Sequence, residues 1–213
     1  MHAVVILALI QGITEFIPVS SSSHLYIISN YFKFDEQSLL LDVSLHIGSF
    51  LAVISFFYRD IFDFFKKKEL FYKIIIASIP VMILGFLLVK TNLIVHLRNI
   101  KVIGWMTLIF GIFLFISDKF RLSKNIDENF KLKDAFIIGL FQVLSLIPGV
   151  SRSGITISAA RILKFKRYDA AKISFLLSIP TLGAVSIFGL KNIIYTQNLG
   201  VTSLNFFAII FSY

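Results

Sequence analysis

Two short segments hold most of the polar chemistry of this chain. From Glu15 to His24 the sequence reads EFIPVSSSSH, and from Ser145 to Gly154 it reads SLIPGVSRSG. Both lie in otherwise apolar surroundings, where Glu15 and Arg152 are the only deeply placed charges, and an intramembrane charge marks a functional position by default. Gln11 and Glu15 are spaced i, i+4, so one helix face points both at the same volume. A carboxylate supported by an amide oxygen can hold a hard divalent cation such as Mg2+ or Ca2+. Beyond Pro18, the hydroxyls and free backbone N–H groups of Ser20, Ser21 and Ser22 can surround an anion such as phosphate. Ser151, Arg152, Ser153 and Gly154 offer more N–H donors, two hydroxyls and one guanidinium suited to bidentate phosphate contact. Together these groups are what metal-assisted phosphoryl transfer requires, with Arg152 stabilising the charge that builds on phosphate oxygens. The attacking group stays open between a serine hydroxyl such as Ser21, the imidazole of His24, and a water activated by His24.

Each of these residues also has a plainer reading. A serine run can simply cap a helix, and Glu15 could neutralise Arg152 as a structural ion pair. Carboxylate, imidazole, hydroxyls and guanidinium at two matching breaks are harder to explain as packing. Asp42 and His46, also i, i+4, are read as structural, and the glycines of the apolar segments as points of close helix contact.

The elements that must position these groups are transmembrane. Of 213 residues, 57% are hydrophobic and 15% charged, with 24 Phe and a mean hydropathy of +0.85, which excludes an ordinary soluble domain. The absence of Cys excludes disulfides, thiolate catalysis, cysteine–zinc sites and iron–sulfur ligation. Segments 39–58, 70–90, 100–117 and 173–190 are long and apolar enough to span. Segments 1–33 and 134–163 are interrupted by Pro, Ser and Gly, and the apolar segment 204–213 is too short.

A net charge of +9 would suit nucleic acid, but the basic residues sit between the spans, so nucleic acid is not an expected partner. Of 21 Lys and Arg, 15 lie in 59–73, 119–133 and 161–172, which assigns those loops to the cytoplasm. Segment 134–163 starts and ends beside two of them, so it must dip into the membrane and return. Segment 1–33 then enters from the outer face. Non-helical backbone at membrane depth needs protein or a water-filled cavity around it, so the two tips are expected to face each other near the midplane as an inverted repeat. The fold expected is an all-α polytopic membrane protein, one integral domain over 1–213, with two inverted re-entrant helix hairpins.

The blocks QGITEFIPVSSSSHL, DVSLHIGSFLAV, PGVSRSGITISAA and AAKISFLLSIPTLGA resemble, in order and over nearly the whole chain, the undecaprenyl-diphosphate phosphatases of the bacitracin-resistance type. The resemblance implies a bacterial inner-membrane enzyme that removes one phosphate from the C55 isoprenyl diphosphate released in cell-wall synthesis. It also implies a divalent metal and a site opening to the outer face. The family's glutamate/glutamine motif falls on Gln11 and Glu15, its serine–histidine motif on Ser20, Ser21, Ser22 and His24, and its arginine motif on Ser151, Arg152 and Ser153. The position before the histidine, usually Gly or Ala, is Ser23 here. The family continues through further membrane helices beyond the point matching Tyr213, so the bundle around the site is expected to be incomplete. Expected partners are a polyprenyl diphosphate and membrane lipid, with a homodimer compatible.

Two other functions compete. A polyprenyl-phosphate transporter or flippase would share the inverted repeat but move its substrate without releasing phosphate. A type-2 phosphatidic-acid phosphatase needs a histidine shortly after Ser151 and Arg152, and none follows His96.

Overall fold

The computed structural model describes residues 2–33, 39–91, 97–120, 123–195 and 199–213; Arg121 and His96 lie outside them. The helices are α1 (His2–Thr14), α2 (Ser21–Tyr31), α3 (Leu39–Phe56), α4 (Tyr58–Lys66), α5 (Lys68–Lys90), α6 (Ile100–Ser117), α7 (Ile126–Asn129), α8 (Leu132–Val143), α9 (Arg152–Ile162), α10 (Arg167–Tyr195) and α11 (Leu199–Ser212), with a 3-10 turn at Leu144–Leu146. An isolated bridge between Lys124 and Phe165 is the sole β pairing among the described residues.

Among the described residues three helices are long and apolar enough to cross a membrane, Lys68–Lys90, Ile100–Ser117 and Arg167–Ile193, or four if the bent pair Leu40–Phe56 and Tyr58–Lys66 is one span. The expected span 39–58 ends early: α3 stops at Phe56 and α4 leaves it at 78°. The sequence of α4 is YRDIFDFFK. It buries Ile61 and Phe64 while exposing Tyr58, Arg59, Asp60, Phe62, Phe65 and Lys66, so a narrow apolar stripe packs inward while charged and aromatic side chains face out. The expected span 173–190 extends in both directions, and 204–213 belongs to the longer α11.

Neither interrupted segment contains a helix that could span alone. α1, α2, α8 and α9 have 13, 11, 12 and 11 residues, about 16–20 Å at 1.5 Å per residue, short of the ~30 Å hydrocarbon core. α1 packs on α2, and α8 on α9, so each segment is a helical hairpin.

The chain divides into two compact units. The first comprises Met1–Glu15, Ser21–Asp63 and Leu182–Tyr213. In it α1 packs on α2, α3 and α11, and α3 packs on α11. Val4, Leu7, Ala8 and Gln11 line the buried stripe of α1 at helical spacing, against Leu25, Leu41, Leu45 and Ala208. The opposite stripe, Val5, Ile6, Leu9 and Ile13, is apolar and exposed, as a lipid-facing surface must be. The buried stripe thus turns polar at Gln11, one turn before Glu15.

The second unit comprises Phe16–Ser20 and Phe64–Thr181. Here α5 and α8 run in the same direction, since contacts ascend together: Lys73 Nζ donates to the Phe130 carbonyl, Gly139 lies against Ala77, and Gly85 against Leu146. A Cβ on Gly139 would overlap the Ala77 backbone, so glycine is what permits this close approach. The basic segments are tied together at one end. Ser123 and Lys124 N–H groups donate to the Lys164 carbonyl at 3.1 and 3.0 Å, Ile126 N–H to Asp169 at 3.1 Å, and Lys67 pairs with Asp127 at 3.1 Å. Arg161, only 1% exposed, lies 3.0 Å from Asp118 and donates to the carbonyls of Asp118 and Phe165. The Arg167 guanidinium, donating to Asp118 at 2.6 Å, holds that carboxyl below the usual carboxylate range, Arg161 adding to the effect.

Candidate functional site

In the first unit the polar cluster is built on Glu15. Gln11 Nε2 donates to Glu15 Oε2 at 2.8 Å and to Ser49 Oγ at 3.3 Å. Both amide hydrogens are therefore committed, and Gln11 Oε1 is buried with no hydrogen-bond partner. Ser21, the first residue of α2, donates its hydroxyl to the same Glu15 oxygen at 2.8 Å. Gln11, Glu15 and Ser21 are buried, Ser22 is exposed, and His24 is half-buried three residues after Ser21, on the same side of α2.

One further residue was not predicted to belong here. His46 of α3 places Nε2 3.3 Å from Glu15 Oε2, while its Nδ1 lies 2.7 Å from the Asp42 carbonyl. The i, i+4 spacing of Asp42 and His46 is the available signal, and the backbone oxygen of Asp42 contacts Nδ1 of the ring.

In the second unit the tip of α8–α9 is held by its own backbone. Gly149 has φ +102°, and a Cβ there would lie 2.7 Å from the Ile103 carbonyl, so position 149 demands glycine. Thr107 of α6 donates to the Gly149 carbonyl at 3.2 Å. Ser151 caps α9 by accepting from Gly154 N–H at 3.1 Å. Ser153, 3.1 Å from the Ser151 hydroxyl, donates to the Ile17 carbonyl at 3.1 Å. The two tips therefore touch through Ile17 and Ser153. Arg152 is half-buried as the first residue of α9, its carbonyl fixed by Thr156 Oγ1 at 2.9 Å, and Thr156 in turn lies 2.8 Å from Ser174 Oγ.

The tips are related but not superimposable residue by residue. α2 starts three positions after Pro18 and α9 four after Pro148. Ser20, buried with φ 63°, occupies a left-handed conformation that costs a non-glycine residue about 1 kcal/mol or more and is retained where surrounding structure enforces it.

Among the described residues no three His, Cys, Asp or Glu side chains form a metal cage. The first cluster nevertheless fits a divalent cation whose shell is completed by water and substrate phosphate, as Mg2+ commonly is. It offers the buried carboxylate of Glu15 and, on the Gln11 amide that donates to it, a buried oxygen without a partner.

Fold and clusters define an all-helical, multi-pass membrane protein with polar groups gathered at two hairpin tips. Residues 4–213 match the family described as bacitracin resistance protein BacA, and the chain belongs to that family. A protein named undecaprenyl-diphosphatase from Pelagibacter ubique (strain HTCC1062) is 49% identical over 192 residues, covering 90% of this chain and 75% of its own. Proteins of the same name from Jannaschia sp. (strain CCS1) and Roseobacter denitrificans (strain ATCC 33942 / OCh 114) are 41% and 44% identical, over 91% and 84% of this chain and 77% and 72% of theirs.

Proposed function

We infer that this chain hydrolyses undecaprenyl diphosphate to undecaprenyl phosphate and orthophosphate, returning the lipid carrier to cell-wall synthesis. The family match over residues 4–213, with relatives named for that activity at up to 49% identity, carries the reading. A divalent cation at Glu15 and Gln11 would neutralise diphosphate charge and polarise a phosphoryl oxygen. Ser20, Ser22, Ser151, Ser153 and Gly154 contribute hydroxyl and N–H donors to the diphosphate. Arg152 donates to the oxygens on which charge develops. Ser21, held on Glu15, is a candidate nucleophile whose hydroxyl proton is already directed to a carboxylate, and His24 can attack or take a proton from water.

The test is phosphate release from undecaprenyl diphosphate by purified protein in detergent, with and without EDTA. Release that chelator abolishes and Mg2+ restores is the expected result. Transfer of the lipid across vesicle membranes without phosphate release would replace the phosphatase with the flippase that an inverted repeat also suits.

We further propose that the protein resides in the bacterial inner membrane with the site toward the outer face. The basic segments 59–73, 119–133 and 161–172 then lie in the cytoplasm. The 15 basic residues there and the mutual hydrogen bonds of these segments support that orientation. Ser123, exposed beside Lys124, reports on it: Ser123→Cys is expected to resist membrane-impermeant thiol reagents in intact cells and to react after permeabilisation. Labelling from outside would reverse the topology.

A further inference from the structure

We propose that His46 is a direct ligand of the divalent cation, making the site a mixed nitrogen–oxygen centre and biasing it toward Mn2+, Co2+ or Zn2+ over Ca2+. The proposal rests on the preceding reading only in expecting a cation at Glu15.

A carbonyl oxygen can only accept, so the 2.7 Å contact to Asp42 makes Nδ1 the donor of the ring and leaves Nε2 as the nitrogen turned toward Glu15. Nε2 faces Glu15 Oε2 across 3.3 Å. The same oxygen already accepts from Gln11 and Ser21, each at 2.8 Å. A nitrogen and a carboxylate oxygen at this distance are held either by a proton on Nε2 or by a cation that both atoms ligate.

The separation suits a cation. Two ligands each about 2.1 Å from a common ion stand roughly 3.3 Å apart when they subtend about 104°, between octahedral and tetrahedral angles. A metal-bound imidazole usually donates its second N–H to a backbone carbonyl or carboxylate, which fixes the tautomer and the ring plane; Asp42 does this here. Gln11, whose Nε2 donates to Glu15, carries a buried Oε1 without a partner, a further oxygen donor on the same side chain. Imidazole shifts the preference of an oxygen site toward the later first-row ions, so His46 acts as a specificity determinant for the metal.

Mn2+ is the probe. Binding to purified protein is followed by titration, and pulsed EPR reads nitrogen coupling to the bound ion. Wild type is expected to show imidazole 14N coupling, converting to 15N coupling in protein grown on 15N-histidine, a measurement that needs no substitution. His46→Gln should lose that coupling and weaken Mn2+ binding about tenfold or more, with Ca2+ binding changed less; His24→Gln should retain the coupling. Mn2+ bound without histidine coupling, coupling that survives His46→Gln, or no Mn2+ binding at all would each overturn the assignment. The readout is independent of turnover. Nitrogen coupling in a protein that releases no phosphate would leave the ligand in place while removing the phosphatase.

Discussion

Glu15→Gln is expected to lower phosphate release by about 100-fold or more and to raise the Mg2+ concentration needed for half-maximal activity, because the substitution keeps shape and removes charge. A single oxygen, Oε2, gathers contacts from Gln11, Ser21 and His46. As carboxylate it can accept from Gln11 and Ser21 and still attract a cation. An amide oxygen offers a hard ion only a weak dipole, and a misplaced amide NH2 would confront donors already aimed at the position. Gln11 is neutral already, so Gln11→Ala should cost less than Glu15→Gln. The measurement is phosphate release against Mg2+ concentration for the three proteins. An unchanged Mg2+ requirement in Glu15→Gln, whatever its turnover, would leave the carboxylate without a metal role.

Much of this arrangement is local in sequence, which is why it could be read there. Gln11 and Glu15 share a helix, so their spacing alone fixes their common direction. The Pro18 and Pro148 breaks, each flanked by apolar stretches too short to span, predict hairpins without any knowledge of packing. His46 was passed over for the opposite reason: its partner lies on a different helix, and nothing near it in sequence shows that α1 and α3 bring Glu15 to its ring. The bend after Phe56 carries no signal of its own in sequence, since SFFYRDIFDFF contains neither Pro nor Gly to mark a break. Arg161 was counted as one of many loop charges that set orientation. Its burial against Asp118 gives it a second role, anchoring the end of α9 opposite Arg152, and this depends on a contact with the far end of α6. Ser20 carries no sequence signal for a left-handed backbone of the kind that glycine gives at position 149.

Arg152→Lys is expected to reduce turnover about tenfold or more while leaving thermal unfolding unchanged, as the charge is kept and the planar fork is lost. The start of α9 has supports besides the guanidinium: Ser151 caps it through Gly154 N–H, and Thr156 holds the Arg152 carbonyl. A fall in turnover therefore reads side-chain chemistry and not helix fraying. Wild-type turnover in Arg152→Lys would make the guanidinium geometry irrelevant. The double replacement Glu15→Gln with Arg152→Gln separates this role from charge neutralisation. If the two residues served only to neutralise each other, removing both would recover much of what either single change loses, because an uncompensated buried charge costs more than an absent pair. If Glu15 serves a cation and Arg152 serves phosphate, the double variant should be no better than the worse single one, and only variants lacking Glu15 should show a raised Mg2+ requirement. Recovery of phosphate release in the double variant at the wild-type Mg2+ requirement would reduce both residues to a structural ion pair.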